Sequence, residues 1–485
     1  MRWWLALAPA ALGCASTSPA KPFHDVSALV EERTGFAPRW NVGSPEDAAV
    51  DRAVHDLLAK DLTVDAAVEV ALLRNRRLTA AYEELSVSQA ELVQAGLLRN
   101  PVFSAGMTTA EADRLDPNLE LGLDWDFLSL LMLPARTAVA KSELEATKMR
   151  VAAMVIDHVA DVEAAYFELQ AAQQIVAMRR IVADAAQASA DVAAAQHDAG
   201  NVNDLTLANE QSATQAFVLD LATSRADAIA AREKLTRLMG VWGEEAGYRV
   251  ADKLPDLPKT EVPLEHLESM AVAKRPDLEA LRRQREAVGR ALSLVKSTRF
   301  TPAVGAGVSA ARLIDGNIAL APRGSLELPI FDQKQATVAR LEAELRRADD
   351  ELRARAVEVR SEVRAARDRV QFERGTVTQF RDVIIPLRER LVMLSQQQYN
   401  SMLLGVYQLL LAKQSEVSAY RDFIQAARDY WMARVELDRA AGARLGAHAS
   451  SAAAGAPLHT PEPQAPGAPA PKMAPMPGMP DMPGM

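Results

Sequence analysis

The chain has little of what cross-links a protein or carries it through a membrane. Its 485 residues include one cysteine, Cys14, so no disulfide can form within the chain. Aromatic residues make up only 5% of the sequence, and the net charge of −9 argues against nucleic acid as a partner. No segment beyond the N-terminus is an apolar run of the roughly 18 residues that a membrane-spanning helix requires. If the protein crosses a membrane, we expect it to do so with strands.

Catalytic motifs are also missing. The seven histidines are scattered, and no HExxH, GxSxG or GxxxxGK string occurs. His158 lies on the apolar face of a predicted helix. We interpret it as a packing residue or as part of a tunnel lining rather than as a ligand, because nothing supplies partners at metal spacing. The sequence therefore predicts a protein that is not an enzyme.

The N-terminus has the pattern of an export signal. Arg2 precedes a short apolar stretch and the small-residue cleavage site Ala-Leu-Gly-Cys at 11–14. A lone cysteine after Leu-Gly resembles a bacterial lipobox, which implies that residues 1–13 are removed and that Cys14 becomes a lipidated N-terminus. Ala15, directly after it, implies sorting to the outer membrane. The alternative is an ordinary signal with an incidental cysteine.

What the chain does contain is a long internal repeat. Asn75-Arg76-Arg77-Leu78 aligns with Arg275-Pro276-Asp277-Leu278, and Arg237-Leu238-Met239-Gly240 aligns with Arg439-Ala440-Ala441-Gly442. A shift of about 200 residues is too long for a solenoid, whose units have roughly 20 to 50 residues. The pattern predicts a duplicated supersecondary unit, with one copy over 61–250 and the other over 251–445. Residues 14–60 are then an N-terminal extension.

Each unit is predicted to contain a helix, a strand pair, a very long helix and a shorter helix. The first helix is expected from about Val64 to Leu98, with Thr63 as its N-cap. The first strand pattern alternates in period two. Its apolar positions are Leu119, Leu121, Leu123, Trp125 and Phe127, and its acidic positions are Glu120, Asp124 and Asp126. The second unit alternates in the same way from Val304, and a turn is predicted at Asp315-Gly316.

The long helices are the dominant element. Residues 135–198 contain neither glycine nor proline. In the second unit an apolar residue recurs every seventh position, which predicts a left-handed supercoil, at Val338, Leu345, Leu352, Val359 and Ala366. A helix of about sixty residues would be roughly 90 Å long. The chain is expected to reverse near residues 198–201 and 400–405 and to return through the helices Leu205–Met239 and Val406–Ala441.

These strands have consequences for assembly. Open strand edges are not tolerated in lipid, so membrane strands must close into a barrel. Two units supply about four strands, whereas membrane barrels begin at about eight. Several copies of the chain must therefore share one barrel if these strands enter the membrane.

The repeat resembles the TolC-like outer-membrane efflux proteins over roughly residues 60–442. The likeness rests on the order, spacing and duplication of short segments: 62–67, 275–280, Leu328-Pro329-Ile330-Phe331-Asp332, 199–201 and 404–406. The first unit departs from the pattern at 131–136. The resemblance implies a mainly α fold with a small β part, in which four strands per chain build a trimeric, twelve-stranded barrel above a coiled-coil helical tunnel. It also implies an exit channel that is docked to an inner-membrane pump through a periplasmic adaptor.

In such proteins the helix reversals form the closed periplasmic end and meet the adaptor. In this chain those positions are Asp198, Gly200, Asn201, Asn203, Asp204, Tyr399, Asn400, Leu404 and Gly405. Threefold symmetry would turn each acid there into a ring of three negative charges, which favours cations. Asp204 could also be the N-cap of the next helix. The strand acids Glu120, Asp124 and Asp126 are expected to face water in the barrel or to lie in a solvated loop.

The tail, residues 446–485, is rich in proline and alanine and is expected to be disordered or polyproline II. Its methionines recur every third residue, at Met473, Met476, Met479, Met482 and Met485. A polyproline II helix has three residues per turn, so the thioethers would share one edge. Thioethers are soft ligands that select Cu(I)-like ions, and His459 and Asp481 add further candidates. The tail is therefore either a capture segment for copper or silver or a low-complexity spacer.

Taken together with these residues, the two resemblances imply a lipid-anchored outer-membrane efflux channel that passively conducts small molecules or metal ions. A periplasmic coiled-coil scaffold or adaptor lipoprotein without a pore is the alternative. The apolar alternation of the strands favours the channel.

Overall fold

The protein is described by a computed structural model over residues 17–40, 47–108, 118–261, 265–312 and 317–446. These residues are mostly helical. The helices and strands of the first half are α1 (Ala20–Thr34), α2 (Asp47–Leu58), β1 (Asp61–Leu62), α3 (Val64–Arg74), α4 (Arg76–Gly96), β2 (Val102–Thr108), β3 (Asn118–Asp126), α5 (Phe127–Asp198), α6 (Asp204–Met239) and β4 (Arg249–Val250). Those of the second half are α7 (Leu267–Lys274), α8 (Pro276–Thr298), β5 (Ala303–Arg312), β6 (Ile318–Glu327), α9 (Gln335–Gln379), α10 (Ile385–Asn400) and α11 (Val406–Ala441).

The two halves have the same order of elements: two short helices, two strands, a long helix and a return helix. The first helix of each half is broken, which the sequence did not predict. In the first half the break lies at Asn75, which ends α3 in an extended conformation and caps α4 through a hydrogen bond from the Arg77 N–H to its Oδ1 (2.8 Å). Thr63 caps α3 as predicted, by accepting a hydrogen bond from the Ala66 N–H.

The long helices confirm the main expectation from the sequence. Helix α5 has 72 residues and is about 108 Å long at 1.5 Å per residue. It begins at Phe127, before the predicted start, and includes Pro134. In the second half, α9 passes through one π turn at Phe380–Ile384 into α10. Pro386 lies just after this turn and cannot donate a backbone hydrogen bond, so the extra residue of a π turn offsets the interruption.

The four longer strands form one antiparallel sheet in the order β2-β3-β5-β6. β3 pairs with β5, so the strands of the two halves join directly, with Leu123 opposite Val308. Within the described residues, β2 and β6 each have one neighbouring strand and therefore form the edges of the sheet. The short strands β1 and β4 pair in parallel elsewhere.

The two aligned motifs of the sequence repeat contact each other within each half. In the first half the Asn75 side chain donates to the Leu238 carbonyl (2.7 Å). In the second half the Arg275 guanidinium donates to the Ala440 carbonyl (3.1 Å). Each carbonyl lies two residues before the glycine that ends the return helix in a left-handed conformation, which explains why both segments recur in the sequence.

The hydrophobic core surrounds these contacts, at the level where the short helices pack against the long ones. Tyr82, Tyr166 and Tyr430 are among its largest fully buried side chains. The N-terminal segment adds to it, because Phe23 packs edge-on against Tyr82 with ring centroids 5.1 Å apart. Lys148, which is buried, binds Asp25 of α1 (3.0 Å). The predicted heptad positions of α9 are buried or partly buried, and Val359 is fully enclosed.

Candidate functional site

The sheet and the two helix reversals lie at opposite ends of the long helices, because α5 begins where β3 ends and continues to the first reversal. The sheet carries one exposed apolar face. Large apolar side chains of all four strands point to this side, and every one of them is exposed: Phe103, Met107, Leu119, Leu121, Leu123, Trp125, Val304, Val308, Ile318, Leu320 and Leu326. A contiguous surface of this kind indicates an apolar environment or partner.

The opposite face of the sheet is polar and lined with small residues. Glu120 pairs with Arg323 across the sheet, and Asp126 pairs with Arg99 (3.1 Å). Asp124 lies opposite Gly307, where a Cβ would collide with its carboxylate. The predicted strand acids therefore lie together on one face. The orientation of these acids toward water inside a barrel remains a prediction.

The first reversal, residues 198–204, is a compact turn held by its own side chains. Gly200 adopts a left-handed conformation (φ +75°), which ends the run of α5. Asn203 is the N-cap of α6 and accepts a hydrogen bond from the Thr206 N–H (2.9 Å). The alternative that Asp204 is the N-cap is therefore wrong: Asp204 is the first helical residue, and its carboxylate instead binds Nε2 of His197 (2.7 Å).

His197 was not singled out from the sequence, and the structure makes it the link between the two helices of this reversal. Its hydrogen bond to Asp204 and the nearby Asp198 carboxylate (3.7 Å) raise the pKa of His197 above its ordinary value. The contact therefore stabilises the reversal below the ordinary histidine pKa of about 6.5 and is lost as the pH rises through the raised pKa.

Asp204→Asn is expected to lower the pKa of His197, because the amide removes the charge that favours imidazolium. The pH profile of His197 modification by diethyl pyrocarbonate, read by mass spectrometry on the full-length protein, measures this pKa. Asp191→Asn, which changes an exposed carboxylate six residues before His197 on α5, is the matched control and should leave the pH profile unchanged. A profile that is unchanged in Asp204→Asn would contradict the assigned contact.

The second reversal, residues 399–405, is built differently. Met402 has a positive φ (+59°), a conformation that glycine usually adopts. Its N–H donates to the Tyr399 carbonyl (2.9 Å). The Gly405 N–H donates to the Gln408 side chain (2.9 Å) at the start of α11. Asn400 is the last residue of α10, and Leu404 is partly exposed in the turn. Each predicted group of reversal residues thus comes together within its own turn.

Both reversals present apolar side chains to solvent. Met402 is 95% exposed, and Leu403 and Leu205 are also strongly exposed. Periodicity could not identify Met402 and Leu403, because they lie in a turn, which has no repeat from which exposure can be inferred. These side chains suit a partner that docks on the end of the helical hairpins.

His158 takes the packing role predicted for it. Its Nε2 lies 3.0 Å from the Leu238 carbonyl and 3.2 Å from the Asn75 amide nitrogen. Burial lowers the pKa of His158, so the neutral ring is favoured. It connects α5 to the contact between Asn75 and Leu238 described above.

Two predicted sites lie outside the described residues: Cys14 and the methionines of the tail. The predicted turn at Asp315-Gly316 also lies outside them. Among the residues that the structure does describe, no cluster of three or more His, Cys, Asp or Glu side chains is arranged to hold a metal ion. No described helix is both long and apolar enough to cross a membrane.

A comparison with models of known protein families gives no match. Among curated proteins, the chain is similar to the cobalt-zinc-cadmium resistance protein CzcC of Cupriavidus metallidurans. The two are 28% identical over 293 residues, which cover 58% of this chain and 66% of CzcC, just under two thirds of its length.

Solved structures match over more of the chain. The outer membrane channel CmeC of Campylobacter jejuni superposes with a TM-score of 0.68 at 14% identity, over 84% of this chain and 90% of CmeC. The outer membrane protein VceC of Vibrio cholerae superposes with a TM-score of 0.66 at 17% identity, over 79% of this chain and 97% of VceC. At these identities the likeness establishes the fold.

Proposed function

We propose that this chain, which has the fold of the TolC-like outer-membrane channels, is the outer-membrane exit channel of an efflux system. The resemblance predicted from the sequence repeat is confirmed at the level of this fold. One observation carries the functional proposal: a sheet with an apolar face and two edges lies at one end of helices about 100 Å long. A periplasmic scaffold would not require an exposed apolar face on this sheet. We assign the protein no catalytic step.

The sheet is proposed to become part of a membrane barrel when three copies assemble. Four strands per chain then give twelve, above the roughly eight at which membrane barrels begin. The exposed apolar face would contact lipid, and the face with Glu120, Asp124 and Arg323 would line the pore. The small residues on that inner face, such as Gly122 and Gly307, would leave its lumen open.

The long helices are proposed to form a tunnel through the periplasm. The helix pairs α5–α6 and α10–α11 would extend away from the membrane, with the two reversals at the far end. Met402, Leu403 and Leu205 are the proposed docking side chains for a periplasmic adaptor, which links the channel to an inner-membrane pump. Asp198 and Asp204, present in three copies, would add negative potential at this entrance.

The common element order of the two halves, with matching contacts at Asn75 and Arg275, supports an origin by duplication. Lipidation of Cys14 would anchor the N-terminus in the outer membrane. The segment that follows it includes α1, which packs against α4 and α5. An anchor attached there would hold the helical part close to the membrane.

Metal ions are the proposed cargo. The curated relative is named for resistance to cobalt, zinc and cadmium. The methionine repeat of the tail adds soft ligands, which favour Cu(I) and Ag(I) rather than those three ions. The residues just before the tail are held on the core: Arg444 binds Asp65 (2.8 Å) and lies over the Phe36 ring, and the Leu445 N–H donates to the Asp438 carboxylate (3.1 Å). The described chain ends at residue 446, so the tail begins directly after these fixed contacts.

Growth of the source bacterium in metal salts tests this proposal. Loss of the whole protein is expected to lower resistance to the transported metal. Changing Met473, Met476, Met479, Met482 and Met485 to leucine should lower resistance to copper or silver while conserving the length and hydrophobicity of the tail. Unchanged resistance, together with no Cu(I) binding by the tail, would show that the tail is a spacer. Unchanged resistance to every metal when the protein is absent would exclude metal as the cargo.

A further inference from the structure

The segment between β6 and α9 is an ordered turn that holds a phenylalanine in solvent. The Lys334 N–H donates to the Asp332 carboxylate (2.8 Å), and the Gln335 side chain donates to the Phe331 carbonyl (3.1 Å). With its backbone fixed in this way, Phe331 is 91% exposed, and Ile330 is also strongly exposed. An ordered turn that presents a large ring outward indicates a surface that is covered in the assembled protein.

A second apolar pair lies at the other edge of the sheet, just before β2. Leu97 and Leu98 are 44% and 48% exposed. Their segment is also held in place: the Leu97 N–H donates to the Gln94 carbonyl (3.2 Å), and the Trp125 indole donates to the Arg99 carbonyl (3.0 Å). The indole contact ties the segment to β3, inside the sheet.

The topology of the sheet brings these two surfaces together, but only between copies. The strands alternate in direction, so β6 runs toward the helices and β2 runs away from them. If β6 of one copy pairs with β2 of the next, the pairing is antiparallel and continues the sheet. The residues that follow β6 then lie beside the residues that precede β2 of the neighbouring copy.

We propose that Ile330 and Phe331 of one copy pack against Leu97 and Leu98 of the next, at the helix end of the seam between the two sheets. This inference rests on the proposed shared barrel and adds the contact that closes it. A second copy fits better than lipid, because both segments also carry charged residues. The turn carries Asp332 and Lys334 and the facing segment carries Arg99, and all three side chains are exposed to water. Apolar side chains enclosed by charged neighbours are typical of a protein interface.

Disulfide trapping in the full-length protein tests the contact. Leu98→Cys combined with Phe331→Cys is expected to give covalently linked dimers and trimers after mild oxidation in the membrane, visible on a heated denaturing gel. Each single variant should give none, which also controls for Cys14. Phe331→Cys combined with Trp242→Cys is the matched control, because Trp242 is also highly exposed (82%) but lies after α6, away from the sheet.

The mass of the same preparations, measured without heating, distinguishes a failure of this inference from a failure of the proposed function. A heat-sensitive trimer that shows no cross-link in the Leu98/Phe331 variant would overturn the seam contact and leave the channel intact. The absence of a trimer from the unmodified protein would overturn both. A substitution gives a second measurement: Phe331→Asp should lower the temperature at which the trimer dissociates, whereas Phe331→Leu should nearly conserve it. Equal dissociation temperatures for the two variants would contradict the contact.

Discussion

Replacing Gly240 with alanine is expected to lower the free energy of unfolding by about 3 kcal/mol, as the sum of left-handed strain and overpacking. Gly240 ends α6 with φ +74°. A Cβ there would lie 2.9 Å from the Asn75 Cα and 3.1 Å from the Arg74 carbonyl oxygen. Both are backbone atoms at the break between α3 and α4, so neither can move aside without disturbing the contact between Asn75 and Leu238. Urea unfolding of the detergent-solubilised protein measures the change.

Gly200 provides the matched control for this substitution. It has almost the same backbone conformation (φ +75°), but a Cβ there would meet nothing within 4 Å. Gly200→Ala should therefore cost only the left-handed strain, about 1 kcal/mol. Equal losses of stability at the two positions would show that the close approach at Asn75 is not what requires glycine at Gly240.

Replacing Arg275 with methionine is expected to lower the free energy of unfolding by about 2 kcal/mol, because it removes a buried cation from a partly buried ionic cluster. The side chain of Arg275 is buried, and its guanidinium binds Asp277 and Glu362, each at 2.7 Å. Arg355 also binds both carboxylates and would compensate in part. Methionine keeps most of the apolar stem but leaves the Ala440 carbonyl without this donor.

The loss of stability in Arg275→Met should depend on pH in a defined direction. Burial alone would raise the pKa of Asp277, but hydrogen bonds and charge from Arg275 and Arg355 outweigh it and hold the pKa below its ordinary value. A carboxylate of this kind adds stability above its unfolded-state pKa of about 3.9, and that stability is lost as the pH falls through the lowered folded-state pKa. The difference in free energy of unfolding between the native protein and Arg275→Met should therefore be largest near neutral pH and become smaller below about pH 4.

Arg283, on the helix α8 that Arg275 directly precedes, provides the control. It binds Glu279 (2.8 Å) and Glu286 (3.4 Å), but its side chain is about half exposed. Exposed ion pairs of this type contribute at most about 1 kcal/mol, so Arg283→Met should lower the free energy of unfolding only slightly. A loss of stability for Arg283→Met as large as that for Arg275→Met would mean that the burial of Arg275 does not determine its contribution.

Much of the fold was predictable because its elements repeat a simple pattern. The helix Val406–Ala441 was predicted to the residue, since glycines on both sides delimit it. The strand β3 followed from strict alternation, which places Leu121 and Leu123 on one face. The break at Asn75 was missed, because neither glycine nor proline marks it. Asn75 caps α4 locally, and its tertiary contact with the Leu238 carbonyl also favours the break.

Less of the candidate site could be read from the sequence. The positions of both reversals were predicted, but their internal contacts were not. His197 and Asp204 are seven residues apart and meet only because the turn brings them together, so no local pattern identifies the pair. The turn at Met402 uses a positive φ without glycine. The exposed Phe331 was part of a recognised motif, yet its exposure became evident only once the turn and the sheet edges were placed.

The mass of the purified full-length protein in mild detergent, with and without heating and after membrane fractionation, tests the central claim most directly. A protein whose sheet is one third of a shared barrel should be found in the outer-membrane fraction, at three times the mass of one chain, and should fall to a single chain on heating. A monomer or dimer in the soluble or peripheral fraction would contradict the channel and favour a coiled-coil scaffold.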